Sequence, residues 1–383
     1  MEHQLNTRVK EIEISGIRKF FNLVGTQQDM ISLTIGQPDF PTPEHIKTAG
    51  IEAINHNETV YTPNAGLPEL RDAAVRFYKT KYAVEYHSES EVIVTVGASQ
   101  AIDIALRAIL EQGDEVIIPG PVYPGYEPII HLCGAKPVMV DTAANDFRLT
   151  AALIEQQIND KTKLMVLPYP SNPTGVSLTA AELQEIAALA KKHNLFILAD
   201  EIYSEIVYEH PHISIASFLK DQTIVVNGLS KSHAMTGWRI GFLFAPKAIV
   251  QHILKVHQYN VSCAASISQK AAIAALTDGI DDALPMRDEY KKRRDLTFKT
   301  LGSLGLHTVK PDGAFYFFVK IPAAYSGSSF DFCLTLAKEY KVAVVPGSAF
   351  SRAGEGWFRL SYACSVEEIT EGLSRIEQFL KTL

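Results

Sequence analysis

Short runs of apolar and β-branched residues alternate with segments of helical periodicity from about residue 90 to residue 260. Some runs, such as LFILA at 195–199, are apolar at every position, which is typical of strands buried on both faces of a parallel sheet. The alternation predicts an α/β unit with three layers, α/β/α, around a mostly parallel sheet of seven strands. The seven predicted strands are 91–96, 115–118, 137–140, 163–167, 195–199, 223–227 and 240–244, and the predicted helices between them include 99–110 and 180–193.

The pattern changes after Pro285, where it predicts a long charged helix over 286–305. Strands around 306–309 and 315–319, a helix near 329–340, two further strands and a closing helix after Ser365 complete a smaller α+β unit. No Pro/Ser-rich linker separates the two units, so the boundary near 285 is interpreted as a hinge.

The long helix contains the basic run KKRR at 291–294. A basic run of this kind can bind phosphate or nucleic acid. Here Asp288, Glu289 and Asp295 interleave with the run at helical spacing, which favours opposite-charge pairs along one helix. We therefore expect a solvated helix face at this position.

Composition and charge narrow the class of function. The chain has 383 residues and a formal net charge of −7, with 43 acidic against 36 basic residues, which argues against binding nucleic acid or anionic membranes by bulk charge. The four cysteines form no C-x-x-C pair and have no histidine at zinc-site spacing, so we expect a reduced, cytoplasmic chain without a metal site. No stretch reads as a signal peptide or a membrane span. Small-molecule chemistry is the leading class.

Two loops at the carboxyl ends of predicted strands carry polar groups, at the edge where open parallel sheets bind ligands. V-T-V-G-A-S-Q at 94–100 runs from a strand into a helix, and the free backbone N–H groups of Ala98, Ser99 and Gln100 could bind a phosphate. Taken alone, Ser99 could equally be an ordinary N-cap. P-S-N-P-T-G at 170–175 could present the amide of Asn172 to the cleft, although an asparagine in a turn is the simpler interpretation.

Two more strand ends carry charged groups. In A-D-E-I-Y at 199–203, Asp200 follows a buried strand, where a carboxylate needs a cationic partner, and Tyr203 lies three residues further on. In the segment 228–241, Lys231 follows the strand TIVVN and Arg239 precedes the next strand. A single lysine there is usually a surface residue, and a single arginine is usually an ion-pair partner. The combination of all four strand ends is what points to a site.

Together these groups match one ligand, pyridoxal 5′-phosphate, which offers a phosphate, a phenolic oxygen, a protonatable ring nitrogen and an aldehyde that binds an amine. The chain also resembles the fold-type I, class I/II aminotransferases over nearly its whole length. That resemblance implies a large cofactor-binding domain at 41–284 and a small domain with an N-terminal lid segment made of 1–40 and 285–383. The motifs that carry it are Y-T-P-N-A-G, P-S-N-P-T-G, D-E-I-Y, S-K-S-H-A-M-T-G-W-R-I-G and F-R-L-S-Y-A, in this order.

The resemblance also implies roles for individual residues. Lys231 is the residue that binds the cofactor aldehyde and moves a proton, Asp200 pairs with the ring nitrogen, and Tyr203 and Asn172 bind the phenolic oxygen. Arg359 and the backbone of Gly36, with Asn172, would bind the substrate α-carboxylate. The remaining cofactor contacts that the resemblance implies are ring stacking by Tyr123, and phosphate binding by the backbone at Ala98, Ser99 and Gln100, by Ser230 and Arg239, and by Tyr61 from the second subunit of a homodimer.

Two positions depart from the pattern of the family. Many relatives have a serine where this chain has Gly228, so one phosphate hydroxyl is missing, and members that act on acidic substrates often have a lysine where Ser99 stands. The distal part of a substrate must therefore be bound elsewhere. Arg18 or Lys19 of the lid segment is one candidate for a long anionic substrate, and a solvent-facing pair is the other interpretation.

The leading hypothesis is a ping-pong aminotransferase that uses the glutamate/2-oxoglutarate couple. Stretches such as EIEISGIRKF most resemble bacterial members of the family that act on N-acetyl-LL-diaminopimelate in lysine biosynthesis. An aromatic or broad-specificity aminotransferase is the nearest alternative. A β-C–S lyase on the same scaffold and an aminotransferase-like sensor domain of a transcription regulator are the further ones.

Overall fold

A computed structural model of the chain describes residues 1–24 and 29–383. Its strands are β1 (Ile31–Ser32), β2 (Val92–Thr95), β3 (Glu115–Gly120), β4 (Lys136–Asp141), β5 (Thr162–Leu167), β6 (Phe196–Asp200), β7 (Thr223–Gly228), β8 (Gly241–Phe244), β9 (Tyr316–Lys320), β10 (Val342–Ala343), β11 (Val345–Pro346) and β12 (Trp357–Ser361). Its α-helices are α1 (Thr7–Glu11), α2 (Gly16–Val24), α3 (Glu44–Asn55), α4 (Pro68–Tyr82), α5 (Gly97–Ile109), α6 (Tyr126–Leu132), α7 (Ala151–Glu155), α8 (Ala180–His193), α9 (Ala216–Leu219), α10 (Leu229–Ser232), α11 (Lys247–Val261), α12 (Ser266–Thr277), α13 (Ala283–Ser303), α14 (Ser329–Glu339) and α15 (Val366–Leu380).

Strands β2 to β8 form a single seven-stranded sheet in the order β2-β8-β7-β6-β5-β3-β4. The pairs among β3 to β7 are parallel, whereas β8 is antiparallel to both of its neighbours, β2 and β7. The predicted mostly parallel sheet of seven strands is confirmed. Because β8 runs in the opposite direction, its first residues lie at the edge where β2, β5, β6 and β7 end.

Both faces of the central sheet are buried. Along β3, Val116 and Ile118 pack into the core on one face, whereas Ile117 packs into the core on the other. Side chains alternate between the two faces of a strand, so a strand buried on both sides must be apolar at consecutive positions. This is the physical reason why runs such as LFILA predicted the layered architecture correctly.

The C-terminal region forms smaller sheets. Strands β11, β12 and β9 form an antiparallel sheet in that order, and β1 pairs in parallel with β10, so the N-terminal segment joins the C-terminal one through the pairing of Ile31 with Val342. A third core, which includes Phe20 of α2 and Ile376 of α15, lies between these elements. The division into 41–284 on one side and 1–40 with 285–383 on the other stays a prediction.

Two details of the predicted small unit are wrong. The segment 306–309 is not a strand, because only the single bridge between Thr308 and Val319 forms there, and the Thr308 hydroxyl donates to the carbonyl oxygen of Phe318 at 2.8 Å. The Thr308 hydroxyl thus occupies the carbonyl oxygen of Phe318, which a backbone N–H would bind in a continuous strand pair. After α14 the chain forms β10, β11 and β12, which is one strand more than predicted.

Only the first half of the basic run on α13, Lys291 and Lys292, has solvent-accessible side chains as its sequence predicts. The side chains of Arg293 and Arg294 are only 9% and 1% exposed, whereas that of Lys292 is 77% exposed. The buried arginines find carboxylates outside their own helix, Asp39 for Arg293 and Glu209 for Arg294. The sequence prediction considered only partners on the same helix and missed both of these.

In the described parts of the chain, 1–24 and 29–383, no helix combines the length and the apolar character that crossing a membrane requires.

Candidate active site

A cavity of about 490 Å³ opens at the edge of the central sheet where β2, β5, β6 and β7 end. The loop at 34–37, α2 and β12 complete its wall. Of the residues that the sequence analysis singled out for the site, this cavity brings together Gly36, Ala98, Ser99, Tyr123, Asn172, Asp200, Tyr203, Ser230, Lys231, Arg239 and Arg359.

The start of α5 forms an anion cradle with Arg239. Gly97, the first residue of the helix, has φ +73°, and a Cβ atom at this position would lie 2.5 Å from Nη2 of Arg239. Glycine therefore permits both the left-handed backbone and the close approach of the guanidinium. A Cβ on Gly241, the first residue of β8, would lie 2.6 Å from the carbonyl carbon of Gly97. Free helix N–H groups and an arginine thus face the same space, which suits an anionic group.

Gln100 contributes to this cradle from behind. It does not line the cavity, and its Oε1 accepts a hydrogen bond from the Val96 backbone N–H at 2.7 Å, while its Nε2 contacts Nδ1 of His257 at 3.2 Å. His257 is fully buried, and burial lowers its pKa. The Gln100 side chain thus holds the turn that begins α5, a role that the sequence did not indicate.

Strand pairing explains the glycine at position 228. Gly228 lies opposite Gly241 in the antiparallel pair of β7 and β8. A Cβ atom on Gly228 would lie 3.0 Å from the carbonyl oxygen of Ile240 and 3.1 Å from Cα of Gly241. A larger residue would crowd the neighbouring strand, so the two glycines allow the close approach of β8 that also delivers Arg239.

Lys231 lies on the short helix α10, directly after β7. Its Nζ donates a hydrogen bond to the carbonyl oxygen of Gly36 at 2.5 Å. Burial, together with the positive charges of Arg359 and Arg239, lowers the pKa of Lys231 to about 8, whereas the negative charge of Asp200 opposes the shift. An amine with a pKa near neutral pH can act both as a nucleophile and as a proton carrier.

Asp200, the last residue of β6, is buried at the floor of the cavity. One carboxylate oxygen accepts a hydrogen bond from the Tyr126 hydroxyl at 2.6 Å, and the other accepts one from the Ile202 backbone N–H at 3.2 Å. Burial raises the pKa of Asp200, while these two hydrogen bonds lower it. The sequence analysis missed Tyr126, because a tyrosine at the first position of a helix has no distinctive sequence pattern.

The phenol groups of Tyr203 and Tyr316 meet at 2.8 Å. Burial raises the pKa of both tyrosines, so both are neutral and one donates to the other. Tyr316 was not singled out from the sequence because it lies in an apolar strand, β9. Strand register explains its place: Arg359 of β12 lies opposite Phe318, and Tyr316 is the diagonal neighbour on the same face.

Arg359 is 3% exposed and forms the other end of the cavity. Its Nη1 donates to Oδ1 of Asn172 at 2.8 Å, and its Nη2 donates to the carbonyl oxygen of Thr34 at 2.7 Å. The guanidinium lies over the ring of Tyr316, with Cζ 4.3 Å from the ring centroid. Burial lowers its pKa from the ordinary arginine value.

Among the residues that the structure describes, none offers Arg359 a carboxylate partner. Its buried Nε has no hydrogen-bond acceptor, and none of the ion pairs within 1–24 and 29–383 includes this arginine. A buried charge is costly unless it meets an opposite charge. The polar contacts to Asn172 and Thr34 orient the guanidinium without neutralising it, so the site is suited to a carboxylate ligand.

Besides Gln100, three further residues that the sequence analysis considered do not line the cavity. Tyr61 is 87% exposed, and a role across a subunit interface stays a prediction. Arg18 and Lys19 are exposed on α2, and Nζ of Lys19 pairs with Glu13 at 2.6 Å, in accord with the solvent-facing interpretation. The same helix instead presents Ile17 and Phe21 to the cavity.

Comparison with known proteins assigns the family. The sequence model described as Aminotransferase class I and II matches residues 28–376, and the chain belongs to this family. It is an aminotransferase, a transferase that moves an amino group between an amino acid and a 2-oxo acid. The predicted family, fold class and type of enzyme are thereby confirmed.

Three relatives illustrate the range of the family around this chain. A probable N-acetyl-LL-diaminopimelate aminotransferase of Bacillus subtilis is 63% identical, over 99% of this chain and 96% of that protein. Aromatic-amino-acid aminotransferase 2 of Thermococcus litoralis is 43% identical, over 98% of both chains. The solved structure of Thermus thermophilus aspartate aminotransferase with maleate has a TM-score of 0.93 at 35% identity, covering 98% of this chain and 99% of that one.

Proposed function

We propose that this aminotransferase uses pyridoxal 5′-phosphate, bound between the start of α5 and the ends of β6 and β7. The donor set fits the cofactor: Gly97 keeps open a cradle that a Cβ would fill, Arg239 suits the phosphate, and Lys231 has the lowered pKa that an aldehyde-binding amine requires. The residues proposed to hold the cofactor are Lys231 for the aldehyde, Asp200 for the ring nitrogen, Tyr203 and Asn172 for the phenolic oxygen, Tyr123 for the ring face, and the backbone at Ala98, Ser99 and Gln100 with Ser230, Arg239 and the partner's Tyr61 for the phosphate.

When bound, the cofactor supplies an aldehyde that takes up the amino group and a ring that accepts the electrons left at the substrate Cα. Arg359 binds the α-carboxylate of the amino acid and so fixes the position of Cα next to Lys231. The free amine of Lys231 would take the proton from Cα and deliver it to C4′, the aldehyde carbon of the cofactor, after which water releases the 2-oxo acid. Burial raises the pKa of Asp200, and the hydrogen bonds donated by Tyr126 and by the Ile202 backbone oppose this by stabilising the carboxylate, which would favour a protonated ring nitrogen.

The observation that carries the carboxylate role is the unpaired, buried guanidinium of Arg359. It faces the same cavity as Lys231, with two of its donors already fixed by Asn172 and Thr34. A ligand with an α-carboxylate would supply the missing negative charge. Amino acids and 2-oxo acids both carry this group, so one site can serve both halves of a ping-pong reaction.

For the substrates we propose N-acetyl-LL-diaminopimelate and the glutamate/2-oxoglutarate couple, in lysine biosynthesis. The support is the 63% identity to the Bacillus subtilis relative over nearly the whole of both chains. Ser99, where a lysine often stands in members that act on acidic substrates, is in accord with a substrate other than aspartate.

An aromatic or broad-specificity aminotransferase is the second candidate, and one feature favours it. The wall of the cavity formed by α2 and the loop after β1 is apolar at Ile17, Phe21 and Ile35. Phe21 is 43% exposed, so its ring is free to contact a ligand. An aromatic side chain would bury more apolar surface against this wall than a dicarboxylate does.

Half-reactions of the purified protein with single amino acids, followed by the absorbance of its cofactor, decide between the two. We expect faster conversion with glutamate and N-acetyl-LL-diaminopimelate than with aspartate, phenylalanine or tyrosine. Faster conversion with phenylalanine and tyrosine would establish the aromatic candidate. Absence of conversion with every amino acid in the panel would contradict the proposed site chemistry.

We further propose a cytoplasmic homodimer in which Tyr61 of each subunit completes the phosphate site of the other. Tyr61 and its neighbour Val60 are 87% and 75% exposed in the single chain, which suits residues that a second subunit covers. All four cysteines are free thiols, as in reducing compartments.

Subunit exchange tests the role of Tyr61. Mixed dimers of Tyr61→Ala with Lys231→Ala contain one site with both native residues if Tyr61 acts across the interface. We expect activity to reappear on mixing the two variants at limiting cofactor. No recovery, together with an active monomer in light scattering, would contradict the proposal.

A further inference from the structure

Arg293, in the basic run of α13, is joined to a loop that enters the active site. Its Nη1 donates to Oδ2 of Asp39 at 2.7 Å, and its Nε donates to Glu289 at 3.1 Å. The arginine side chain is 9% exposed and that of Asp39 is 27% exposed. Lys292, the preceding residue, points to solvent and pairs only with Glu289 on the same helix. Arg293 is thus the buried member of its ion pair with Asp39, whereas Asp39 stays partly exposed.

The other oxygen of Asp39 is also fixed by α13. The hydroxyl of Tyr290 donates to Oδ1 of Asp39 at 2.9 Å, and the Asp39 backbone N–H donates to the same hydroxyl at 3.2 Å. The ring of Phe40 meets Tyr290 edge-on at 5.5 Å, and the Arg293 guanidinium lies 5.5 Å from each of these rings. Two turns of α13 thus hold residues 39 and 40 through both carboxylate oxygens, the backbone and a ring contact.

The loop held in this way makes two backbone contacts in the active site. The carbonyl oxygen of Gly36 accepts from Lys231 at 2.5 Å, and that of Thr34 accepts from Arg359 at 2.7 Å. Gly36 lies only three residues before Asp39, so a shift at Asp39 is transmitted over a short stretch of chain. Residues 39 and 40 of the loop are thus bound by α13. Residues 34 and 36 contact the two cationic side chains of the site, Arg359 and Lys231.

The free energy of an ion pair such as Arg293–Asp39 indicates a role beyond stabilising the fold. Burial of the Arg293 charge costs desolvation energy that offsets its attraction to Asp39, and the best-attested use of ion pairs of this kind is to fix one arrangement among several. The arrangement fixed here is the position of the 34–40 loop.

We propose that Arg293, with Asp39 and Tyr290, is a positioning residue of the aminotransferase, which holds the 34–40 loop so that its carbonyl oxygens orient Lys231 and Arg359. The proposal rests on the roles proposed above for Lys231 and Arg359. Arg293, one residue of the basic run, would thus act on the reaction through the 34–40 loop and not through contact with the substrate.

The variants for the test are Arg293→Gln, Asp39→Asn and their combination, with two matched controls. Lys299→Gln removes the same charge from an exposed position of α13. Arg294→Gln removes an equally buried arginine whose partners are Glu209, Asp295 and the Pro311 carbonyl, outside the 34–40 loop. Arg293→Lys keeps the charge and loses the planar fork, and it replaces Arg293→Gln if that variant fails to fold.

The first measurement needs no amino-acid substrate. The rate at which cofactor-free protein binds added pyridoxal 5′-phosphate is followed against pH, which reports the protonation midpoint of Lys231. We expect Arg293→Gln and Asp39→Asn to raise the midpoint by about 0.5–1 unit, because a loosened loop admits water to the amine. Both controls keep the native midpoint.

The second measurement is steady-state transamination. We expect displacement of the 34–40 loop to raise KM for the 2-oxo acid about tenfold, with a smaller loss of kcat. The reason is that the Thr34 carbonyl would no longer orient Arg359, and a misplaced binding group lowers the rate of reaction. The double variant should be no worse than either single one, and Arg293→Lys should recover part of the loss.

Equal shifts in Arg294→Gln, or changes in melting temperature alone, would overturn the positioning role. Additive effects of Arg293→Gln and Asp39→Asn would overturn the pairing. Failure of the proposed carboxylate site would appear separately, as an unchanged KM in Arg359→Lys, and would leave the midpoint measurement valid.

Discussion

The two ends of the cavity are built in different ways. The sheet end consists of Gly97, Asp200, Lys231 and Arg239, which follow or precede neighbouring strands of one sheet. The arginine end consists of Thr34, Asn172, Tyr316 and Arg359, and its hydrogen bonds join residues 187 and 325 positions apart. The first end follows from the topology of a single layer, whereas the second exists only when the N-terminal loop, the central unit and β12 come together.

The two ends also differ in charge. At the sheet end the carboxylate of Asp200 partly compensates Lys231 and Arg239, and its own oxygens accept two hydrogen bonds. At the arginine end the guanidinium of Arg359 has neutral partners only among the described residues. The charge distribution at the sheet end therefore suits a ligand with both positive and negative groups. The charge at the arginine end suits a ligand that is only negative. Five experiments test this contrast, in decreasing order of expected effect.

Replacing Lys231 by alanine removes the group with both proposed chemical roles at the sheet end. We expect transamination to fall by at least about 10⁴-fold, since general acid–base and covalent catalysis are lost together. Steady-state rates and the absorbance of the bound cofactor measure the effect, and far-UV circular dichroism checks the fold. Turnover within a few-fold of the native rate would refute the assignment.

The buried charge of Lys231 also lowers the free energy of unfolding of the cofactor-free protein. Its folded-state pKa of about 8 lies below its ordinary value of 10.5, so the cost is complete below pH 8 and disappears as the pH rises from 8 to 10.5. We expect Lys231→Met to stabilise the cofactor-free protein at pH 7 by about 3 kcal/mol, with no gain above pH 10.5. Melting temperatures across this range measure the difference, and a pH-independent gain would contradict the lowered pKa.

Exchanging arginine for lysine separates the two ends. Arg359→Lys keeps the charge and loses the fork, so we expect KM for the 2-oxo acid to rise about 30- to 100-fold with little change in cofactor affinity. Arg239→Lys should instead weaken cofactor binding and leave that KM nearly unchanged. Titration with cofactor and steady-state kinetics measure both quantities. Equal effects of Arg359→Lys and Arg239→Lys on both KM and cofactor affinity would show that the two ends of the cavity do not bind different ligand groups.

Tyr126→Phe removes the hydroxyl that donates to Asp200. Without this hydrogen bond the pKa of Asp200 rises further, because the remaining effect of burial is less opposed. A hydrogen bond to a charged group contributes about 1.5–3 kcal/mol, so we expect cofactor affinity to fall about tenfold or more. The loss should grow as the pH falls, when Asp200 takes up a proton. A pH-independent loss would indicate that only packing had changed.

Tyr316→Phe should have the smallest effect. The ring stays beneath Arg359, and only the hydrogen bond between two neutral phenols is lost. Such a bond contributes about 0.5–1.5 kcal/mol, which corresponds to roughly three- to tenfold in kcat/KM. A loss as large as that of Arg359→Lys would show that the Tyr316 hydroxyl itself contacts the ligand.

Much of the sheet end could be predicted because its information is local. Apolar runs mark buried strands, and the residues that follow them, such as Asp200 and Lys231, are carried to a common edge by parallel topology. Arg239 joins them because β8 runs the other way, so the residues before it reach the same edge. The additional hydrogen-bond donor, Tyr126, was missed because a tyrosine at a helix start has no distinctive pattern.

The arginine end and the α13 cluster required the folded chain. Neither Tyr316 in an apolar strand nor Thr34 through its carbonyl has a sequence signal, and the KKRR run looked solvated because its true partners, Asp39 and Glu209, are distant in the chain.

The sequence by itself thus determined the layered architecture, the family and the chemical groups of the sheet end, because hydrophobic period and strand-end position are properties of short segments. Only the tertiary structure decided which charges are left without a partner. Arg293 and Arg359 are both buried, yet within 1–24 and 29–383 the first contacts a carboxylate and the second contacts none. That difference depends on contacts between distant segments, and it separates the arginine that binds the 34–40 loop from the one that we propose to bind a carboxylate ligand.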